Sequence, residues 1–338
     1  MMRDYILQIQ QGENLSHDEI TVVMELIMSG QVPLDEVKNF LLALKKKGPT
    51  VEEITACALI MRKFVVPVKA QHEIILDTCG TGGDHKDTFN ISTVAAIVVA
   101  ASGVVVAKHG NRSISSKCGS ADVLEALGVN VHMEEQHLGE CLNIIGLAFL
   151  FAQRLHPAMK NVAFARQELG VKTIFNILGP LTNPARATHQ MMGVYSRDLL
   201  EPMAQVLKNL GLKRALVVHG NDGLDEITTT DKTFVSEFNG LEIISYDIDV
   251  DELGIPRARI EDFAGGNAAD NAAIVRKILE GERGPRRDIV VVNAAYALYT
   301  AQAVVNLEQG LRMAEHAIDS KRASQKLEEL KEFTNRAR

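Results

Sequence analysis

The chain has 338 residues, with 36 Lys plus Arg against 43 Asp plus Glu, and a formal net charge of −7. At 46% hydrophobic and 23% charged it has the composition of a soluble globular protein, long enough to bury a core without staples and suggesting about two domains at roughly 150 residues each. The mild acidity argues against nucleic acid as a partner, since phosphate backbones recruit a basic face, but leaves room for an anionic small substrate held by local donors.

From Met1 to about Phe64 the sequence reads as helices. Ser16-His17-Asp18-Glu19 and Thr50-Val51-Glu52-Glu53 both match the capping box that opens a helix. Between them Leu34, Val37, Leu41 and Leu44 recur at helical spacing, and Gly48 is placed to stop that helix. Pro67, in the extended-looking run Val65 to Val68, marks a boundary. Beyond it, short apolar runs alternate with helical stretches. The strand candidates are Ile74 to Leu76, Val104 to Val106, Ala148 to Phe151, Met191 to Tyr195, Ala215 to Val218 and Ile289 to Val292. Helices are expected over Ser92 to Ala101 and Ala121 to Leu127, and one or two charged amphipathic helices over Leu311 to Phe333. The fold class that follows is α/β: a small N-terminal helical domain and a large domain with a mostly parallel sheet covered by helices. Linkers are expected at 65–73 and 179–188.

Four segments at the ends of apolar runs are rich in donors or carboxylates. Asp77-Thr78-Cys79-Gly80-Thr81-Gly82-Gly83-Asp84 has backbone N–H groups unshielded by side chains, suited to an anion-binding nest or to an ordinary turn. It is neither a Walker A loop nor a dinucleotide fingerprint, since no Gly-Lys-Ser/Thr follows and His85 breaks G-x-G-x-x-G. Asn90-Ile91-Ser92-Thr93 opens a helix, where it caps N–H groups or binds phosphate, with Thr88 nearby. Lys108-His109-Gly110-Asn111-Arg112-Ser113-Ile114-Ser115-Ser116, followed by Gly119-Ser120, is a dense donor array after a strand, where open α/β sheets bind ligands. Gly220-Asn221-Asp222-Gly223-Leu224-Asp225-Glu226 places adjacent carboxylates in a Gly-rich loop, a weak pattern for a hard cation such as Mg2+ shared with a phosphate substrate, since Asp and Gly also form ordinary turns. Arg166, on a helix among apolar neighbours, either grips a carboxylate or snorkels to water.

Neither His109 nor the cysteines have an activating partner visible in sequence, which favours a positioning role for His109. Cys57, Cys79, Cys118 and Cys141 form no C-x-x-C pair, and no H-E-x-x-H occurs, so free thiols in a reducing compartment are expected. The first residues carry no apolar signal core. The longest apolar run, Val94 to Ala101, is too short to cross a bilayer of about 30 Å, so no membrane partner and a cytoplasmic location are expected.

Taken in order, six stretches resemble the anthranilate phosphoribosyltransferase family. They are Gly80 to Asp84, Asn90 to Thr93, Lys108 to Ser113, Gly119 to Asp122, Phe175 to Pro184 and Gly223 to Glu226. The resemblance implies a nucleoside phosphorylase class II-like fold, with a small helical domain over 1–70 to which about 160–188 return, and an α/β domain over 71–338. It implies a homodimer through the helical domain, and transfer of phosphoribose from 5-phosphoribosyl 1-diphosphate (PRPP) to the amine of anthranilate.

Carried over residue by residue, PRPP would meet Gly80, Gly83, Asp84, Thr88, Asn90, Ile91, Ser92, Thr93, Lys108, His109, Gly110, Asn111, Arg112, Ser113, Ile114, Ser115, Ser116 and Ser120. Anthranilate would meet Gly80, His109, Asn111 and Arg166, and Ser92, Asp225 and Glu226 would serve Mg2+, two ions per subunit. No general acid or base is assigned. The rival expectations are a pyrimidine nucleoside phosphorylase of the same fold, which needs no carboxylate pair for a metal pyrophosphate, and a non-catalytic protein binding a phosphorylated metabolite.

Overall fold

The computed structural model describes residues 1–113 and 117–336. Its N-terminal helices are α1 (Met2–Gln10), α2 (His17–Met28), α3 (Leu34–Lys47) and α4 (Val51–Lys63). Both expected capping boxes are present, at Ser16 with Glu19 and at Thr50 with Glu53, and Gly48 closes α3 at φ 83°. The buried Glu53 carboxylate also accepts from Leu15 N (3.0 Å) and Lys47 Nζ (2.7 Å), so the cap of α4 ties it to α2 and α3.

A seven-stranded sheet follows, in the order β3-β2-β1-β4-β5-β6-β7. The strands are β1 (Leu76–Asp77), β2 (Val106–Gly110), β3 (Leu147–Phe151), β4 (His189–Gly193), β5 (Arg214–Gly220), β6 (Thr233–Phe238) and β7 (Ile243–Ile248). The first five run parallel, while β6 and β7 form an antiparallel extension of β5. The strand order reverses between β1 and β4, so the crossovers after these two strands leave in opposite directions and open a crevice at their carboxyl ends.

The remaining helices are α5 (Ile91–Ala101), α6 (Ser120–Ala126), α7 (Glu135–Ile145), α8 (Ala152–Leu155), α9 (Lys160–Leu169), α10 (Phe175–Leu178), α11 (Leu200–Asn209), α12 (Ala268–Leu279), α13 (Pro285–Thr300), α14 (Leu307–Asp319) and α15 (Arg322–Arg336). One expectation is corrected: Ile289 to Val292 is no strand but lies inside α13. Gly284 and Pro285 at its start favour a helix, and the β-branched run is accommodated because α13 is buried almost all round against α5, α14 and β4.

Two apolar clusters divide the molecule, and the sheet separates them by its two-residue period. Ala215 and Val217 of β5 face one, Leu216 and Val218 the other. The first also contains α1–α4, Val162 and Ala165 of α9, and Phe175, Ile177 and Leu178 of α10. The chain after β3 therefore returns to the N-terminal helices. Asn161 Nδ2 donates to Met28 O (2.7 Å), and Lys38 pairs with Glu168 (2.9 Å). The connection after α4 bonds both the outgoing and the returning chain, through Val66 N to Leu155 O (2.9 Å) and Val68 N to Pro184 O (3.0 Å).

Candidate active site

The crevice is lined by the loops after β1, β2 and β5 and by the first turn of α5. Gly82 and Gly83 adopt φ of 60° and 78°, turning the loop after β1 back over the sheet. Gly82 N donates to Asp225 Oδ2 (2.9 Å), and Thr81 N donates to Gly193 O (2.8 Å). A Cβ on Gly193 would lie 1.6 Å from the Asp225 carbonyl oxygen, so only glycine ends β4 with the acidic loop this close. A Cβ on Gly80 would likewise lie 3.1 Å from Asp225 Oδ2.

Glu226 reaches the other way. Its Oε1 accepts from Ser92 N (3.1 Å) and so supplies an acceptor to the open first turn of α5. Lys108, buried at 4% exposure, spans the same ground: Nζ donates to Thr78 O (3.2 Å), Thr78 Oγ1 (3.3 Å) and Ser92 Oγ (3.2 Å). Asn90 Nδ2 donates to Cys118 O (3.1 Å) and Asn90 Oδ1 accepts from Asn271 (3.0 Å), fixing the approach to α5. Thr88 lies in an isolated bridge with Ala264. Ile91 and Thr93 are buried.

Asp225 and Glu226 are half-buried in the crevice floor. Desolvation there, reinforced by repulsion from Asp84 for Asp225 and from Asp225 for Glu226, holds both carboxyls above the usual carboxylate range. Among the described residues no lysine or arginine forms an ion pair with either. A pair of hard oxygen ligands with a third carboxylate nearby fits a divalent cation such as Mg2+. Lys172 approaches from the helical side, donating to Gly83 O (2.8 Å) over the Tyr195 ring (3.6 Å).

Under the loops lies a buried polar brace. Asp77 Oδ1 accepts from His109 N (3.1 Å), while Asn183 Nδ2 donates to Asp77 Oδ2 (2.7 Å) and Ala107 O (2.8 Å). Asp77, Cys79 and His109 place ligand-type atoms within 4.8 Å of one another, but both Asp77 oxygens are engaged in holding β1, β2 and the returning chain together. Burial raises the Cys79 thiol far above its usual range, which leaves it unreactive.

The helical side of the crevice is different in kind. His109 has the partner that sequence did not reveal: His156 Nε2 lies 3.1 Å from His109 Nε2. Burial pushes His156 down to about 4 and His109 well below its ordinary value, so both rings are neutral at pH 7, one donating and one accepting across the contact. Arg166 on α9 is half-buried, 5.7 Å from the Phe175 ring centroid, and pairs with no carboxylate among the described residues. Exposed Phe164 sits on the same helix.

The array after β2 is only partly directed at the crevice. Arg112 pairs with Asp122 (2.9 Å) and Glu125 (2.6 Å) and lies over Phe151, so its guanidinium is committed to the protein. Ser113 N and Gly119 N both donate to Asp122 Oδ2, and Ser120 Oγ and Ala121 N donate to Asn111 O. A Cβ on Gly110 would strike Ser120 Oγ at 2.3 Å. Ile114, Ser115 and Ser116 lie outside the described residues. Gly193, His156, Lys172, Asn183 and Asn271 were missed in sequence because each acts on a segment distant in the chain.

A helical bundle joined to a sheet with a phosphate-type crevice at its switch point defines a class, and two family models match it. Residues 3–65 match "Glycosyl transferase family, helical bundle domain" and residues 72–324 match "Glycosyl transferase family, a/b domain". Anthranilate phosphoribosyltransferases from Acetivibrio thermocellus and Clostridium kluyveri are each 51% identical over 335 residues, covering 99% of this chain and 97% and 100% of theirs. The crystal structure of the Thermus thermophilus enzyme superposes with a TM-score of 0.93 at 42% identity, covering 98% of this chain and 99% of that one. The Saccharomyces cerevisiae enzyme in complex with PRPP and Mg gives 0.86 at 27% identity, covering 95% and 92%. The chain belongs to the anthranilate phosphoribosyltransferase family.

Proposed function

We propose that the chain transfers the 5-phosphoribosyl group of PRPP to the amine of anthranilate, giving N-(5-phosphoribosyl)anthranilate and pyrophosphate, the second step of tryptophan biosynthesis from chorismate. The observation that carries this reading is the meeting of Asp225, Glu226, Lys108 and the first turn of α5 within one crevice. Named relatives that bind PRPP with Mg, and 4-fluoroanthranilate, support it.

In this reading Asp225, Glu226 and Ser92 hold Mg2+, two ions per subunit. When bound, Mg2+ neutralises charge developing on the departing pyrophosphate. The rest falls to the chain itself. Gly80, Gly83, Asp84, Thr88, the segment Asn90 to Thr93, the segment Lys108 to Ser116 and Ser120 line PRPP. Arg112 does so through its backbone, because its guanidinium is committed to Asp122 and Glu125. Lys108 and the N–H groups of α5 stabilise phosphate charge from fixed positions, with little reorganisation during reaction. Arg166 takes the anthranilate carboxylate, with Gly80, His109 and Asn111 around the ring. Anthranilate's weakly basic amine is neutral at pH 7, so alignment rather than deprotonation prepares the attack, and the neutral His109–His156 pair suits that task.

The shared packing of α1–α4 with α9 and α10, in a cluster that also takes in α11 and one face of the sheet, supports a helical unit over 1–70, with about 160–188, docked on an α/β unit over 71–338. Exposed Leu7 on α1 and Leu42 on α3 support a homodimer through the helical unit, which sedimentation analysis tests directly. No helix among the described residues is long and apolar enough to cross a membrane.

The test is the loss of anthranilate fluorescence on mixing protein, PRPP and Mg2+, coupled to pyrophosphate release and abolished by EDTA. Phosphorolysis of thymidine or uridine instead, or PRPP binding without turnover, would overturn the reading.

A further inference from the structure

The acidic loop after β5 carries adjacent carboxylates that repel one another, yet it is an irregular segment with no sheet ladder to hold it. Its internal order comes from backbone bonds, Gly220 N to Leu224 O and Gly223 N to Gly220 O (both 2.8 Å), and from the side chain of Asp222. Oδ2 of that residue accepts from Thr228 Oγ1 (2.6 Å) and Thr230 Oγ1 (2.5 Å), and Oδ1 accepts from Leu224 N (3.1 Å). These bonds shape the loop but do not fix it to the rest of the molecule.

Beside the bonds from Gly82 N to Asp225 and from Ser92 N to Glu226, the backbone of the loop is attached from α13. Asn293 is 1% exposed and the lone amide in the run from Ile289 to Ala297. Its Oδ1 accepts from Ile227 N (3.0 Å), and its Nδ2 donates to Ile227 O (2.8 Å) and to Ile289 O one turn earlier (2.8 Å). One amide thus satisfies both backbone groups of the residue that follows Glu226, as a neighbouring strand would, and its bond to Ile289 fixes its own orientation. Ile227 is itself fully buried, so these backbone groups have no water to fall back on.

We infer that Asn293 is a positioning residue for the Asp225–Glu226 pair: by gripping the Ile227 backbone from α13 it keeps the two carboxylates turned toward Gly82 and Ser92, ready for a divalent cation. This rests on the reading of that pair as a Mg2+ site. Asn293 touches neither substrate nor cation, and it acts through the backbone alone.

The experiment is a Mn2+ titration of the full chain in the presence of PRPP, followed by water-proton relaxation. In Asn293→Ser the hydroxyl bonds Ile289 O within the helix and releases Ile227. The Mn2+ dissociation constant should rise about 10- to 100-fold, the range for loss of a residue that orients metal ligands. The Mg2+ concentration for half-maximal turnover should rise by the same factor, with kcat recovered at high Mg2+ and the anthranilate KM unchanged. Asn293→Asp, close in shape, keeps the acceptor for the Ile227 N–H but loses the donor to the Ile227 and Ile289 carbonyls, so it should raise the dissociation constant too.

Val292→Ala, buried on the same helix, controls for loss of stability and should titrate like wild type. Wild-type Mn2+ affinity in both Asn293 variants, or an equal shift in Val292→Ala, would overturn the inference. A titration unaffected by Asp225→Asn with Glu226→Gln would instead remove the metal reading beneath it.

Discussion

The two sides of the crevice handle charge in opposite ways. On the sheet side, charged groups already hold protein partners: Lys108 on Thr78 and Ser92, Glu226 on Ser92 N, Asp225 on Gly82 N. On the helical side, Arg166 holds no carboxylate among the described residues and the buried histidines carry no charge. A side that must meet a multiply charged diphosphate is held rigid in advance. The side proposed to admit and release a flat, singly charged acid has Arg166 without a carboxylate partner, Lys172 held on Gly83 O, and neutral histidines.

Four variants break or sharpen that contrast. The largest effect is expected from Asp225→Asn with Glu226→Gln, at least about 1,000-fold in turnover, since electrostatic stabilisation of the leaving group is lost. Because the folded protein raises both carboxyl pKa values, their ionised forms destabilise the fold at high pH. The double variant should therefore melt no lower than wild type at pH 8. Wild-type turnover would end the metal assignment, and a large fall in melting temperature would end the claim that these charges oppose folding.

Lys108→Met removes three bonds from a buried ammonium and should weaken PRPP binding on the order of 100-fold by calorimetry. Unchanged affinity would take Lys108 out of the phosphate site. Arg166→Ala should raise the anthranilate KM about 10- to 100-fold and leave PRPP affinity alone. A change confined to PRPP would reverse the assignment of the two sides.

The smallest effect concerns the neutral histidines. Burial lowers His156 from 6.5 to about 4, so between those values the unfolded chain binds a proton that the folded chain refuses. Stability should fall as pH falls through that window, by on the order of 3 kcal/mol for this residue. His156→Gln, which keeps an amide near the position of Nε2, should flatten urea midpoints between pH 7 and 4.5. Parallel curves for both proteins would show that His156 does not titrate this way.

What was legible in the sequence was local. The capping boxes at Ser16 and Thr50, Gly48 at the end of α3 and the Gly-rich loop each depend on residues a few positions apart. So did most of the parallel strands, although β1 shrank to Leu76–Asp77 and β2 began at Val106, at the end of its expected run. Less legible was whatever depends on a distant partner. His156 pairs across 47 positions and Asn183 reaches Asp77 across 106. Arg112 carried the right composition for a phosphate ligand, but Asp122 and Glu125 one loop away claim its side chain. Ile289 to Val292 misled because burial on all sides suits a β-branched helix as well as a strand. The β6–β7 hairpin was missed because buried Ser236 and Glu237 interrupt the apolar run of β6 and the exposed positions of β7 are polar or isolated.

The return of α9 and α10 to the N-terminal helices has a consequence for biosynthesis. Translation delivers α1–α4 first and the segments that complete their cluster much later, with β1, β2 and β3 made in between. At about 5–20 residues per second, the gap between Lys63 and Lys160 lasts roughly 5 to 20 s. During that interval the α2 and α3 surfaces that meet α9 are open to solvent and to neighbouring nascent chains. Ribosome-bound chains arrested before Lys160 should therefore be cut by protease in α2 and α3 faster than chains arrested after Thr182. Equal protection would show that the four helices close without their late partners.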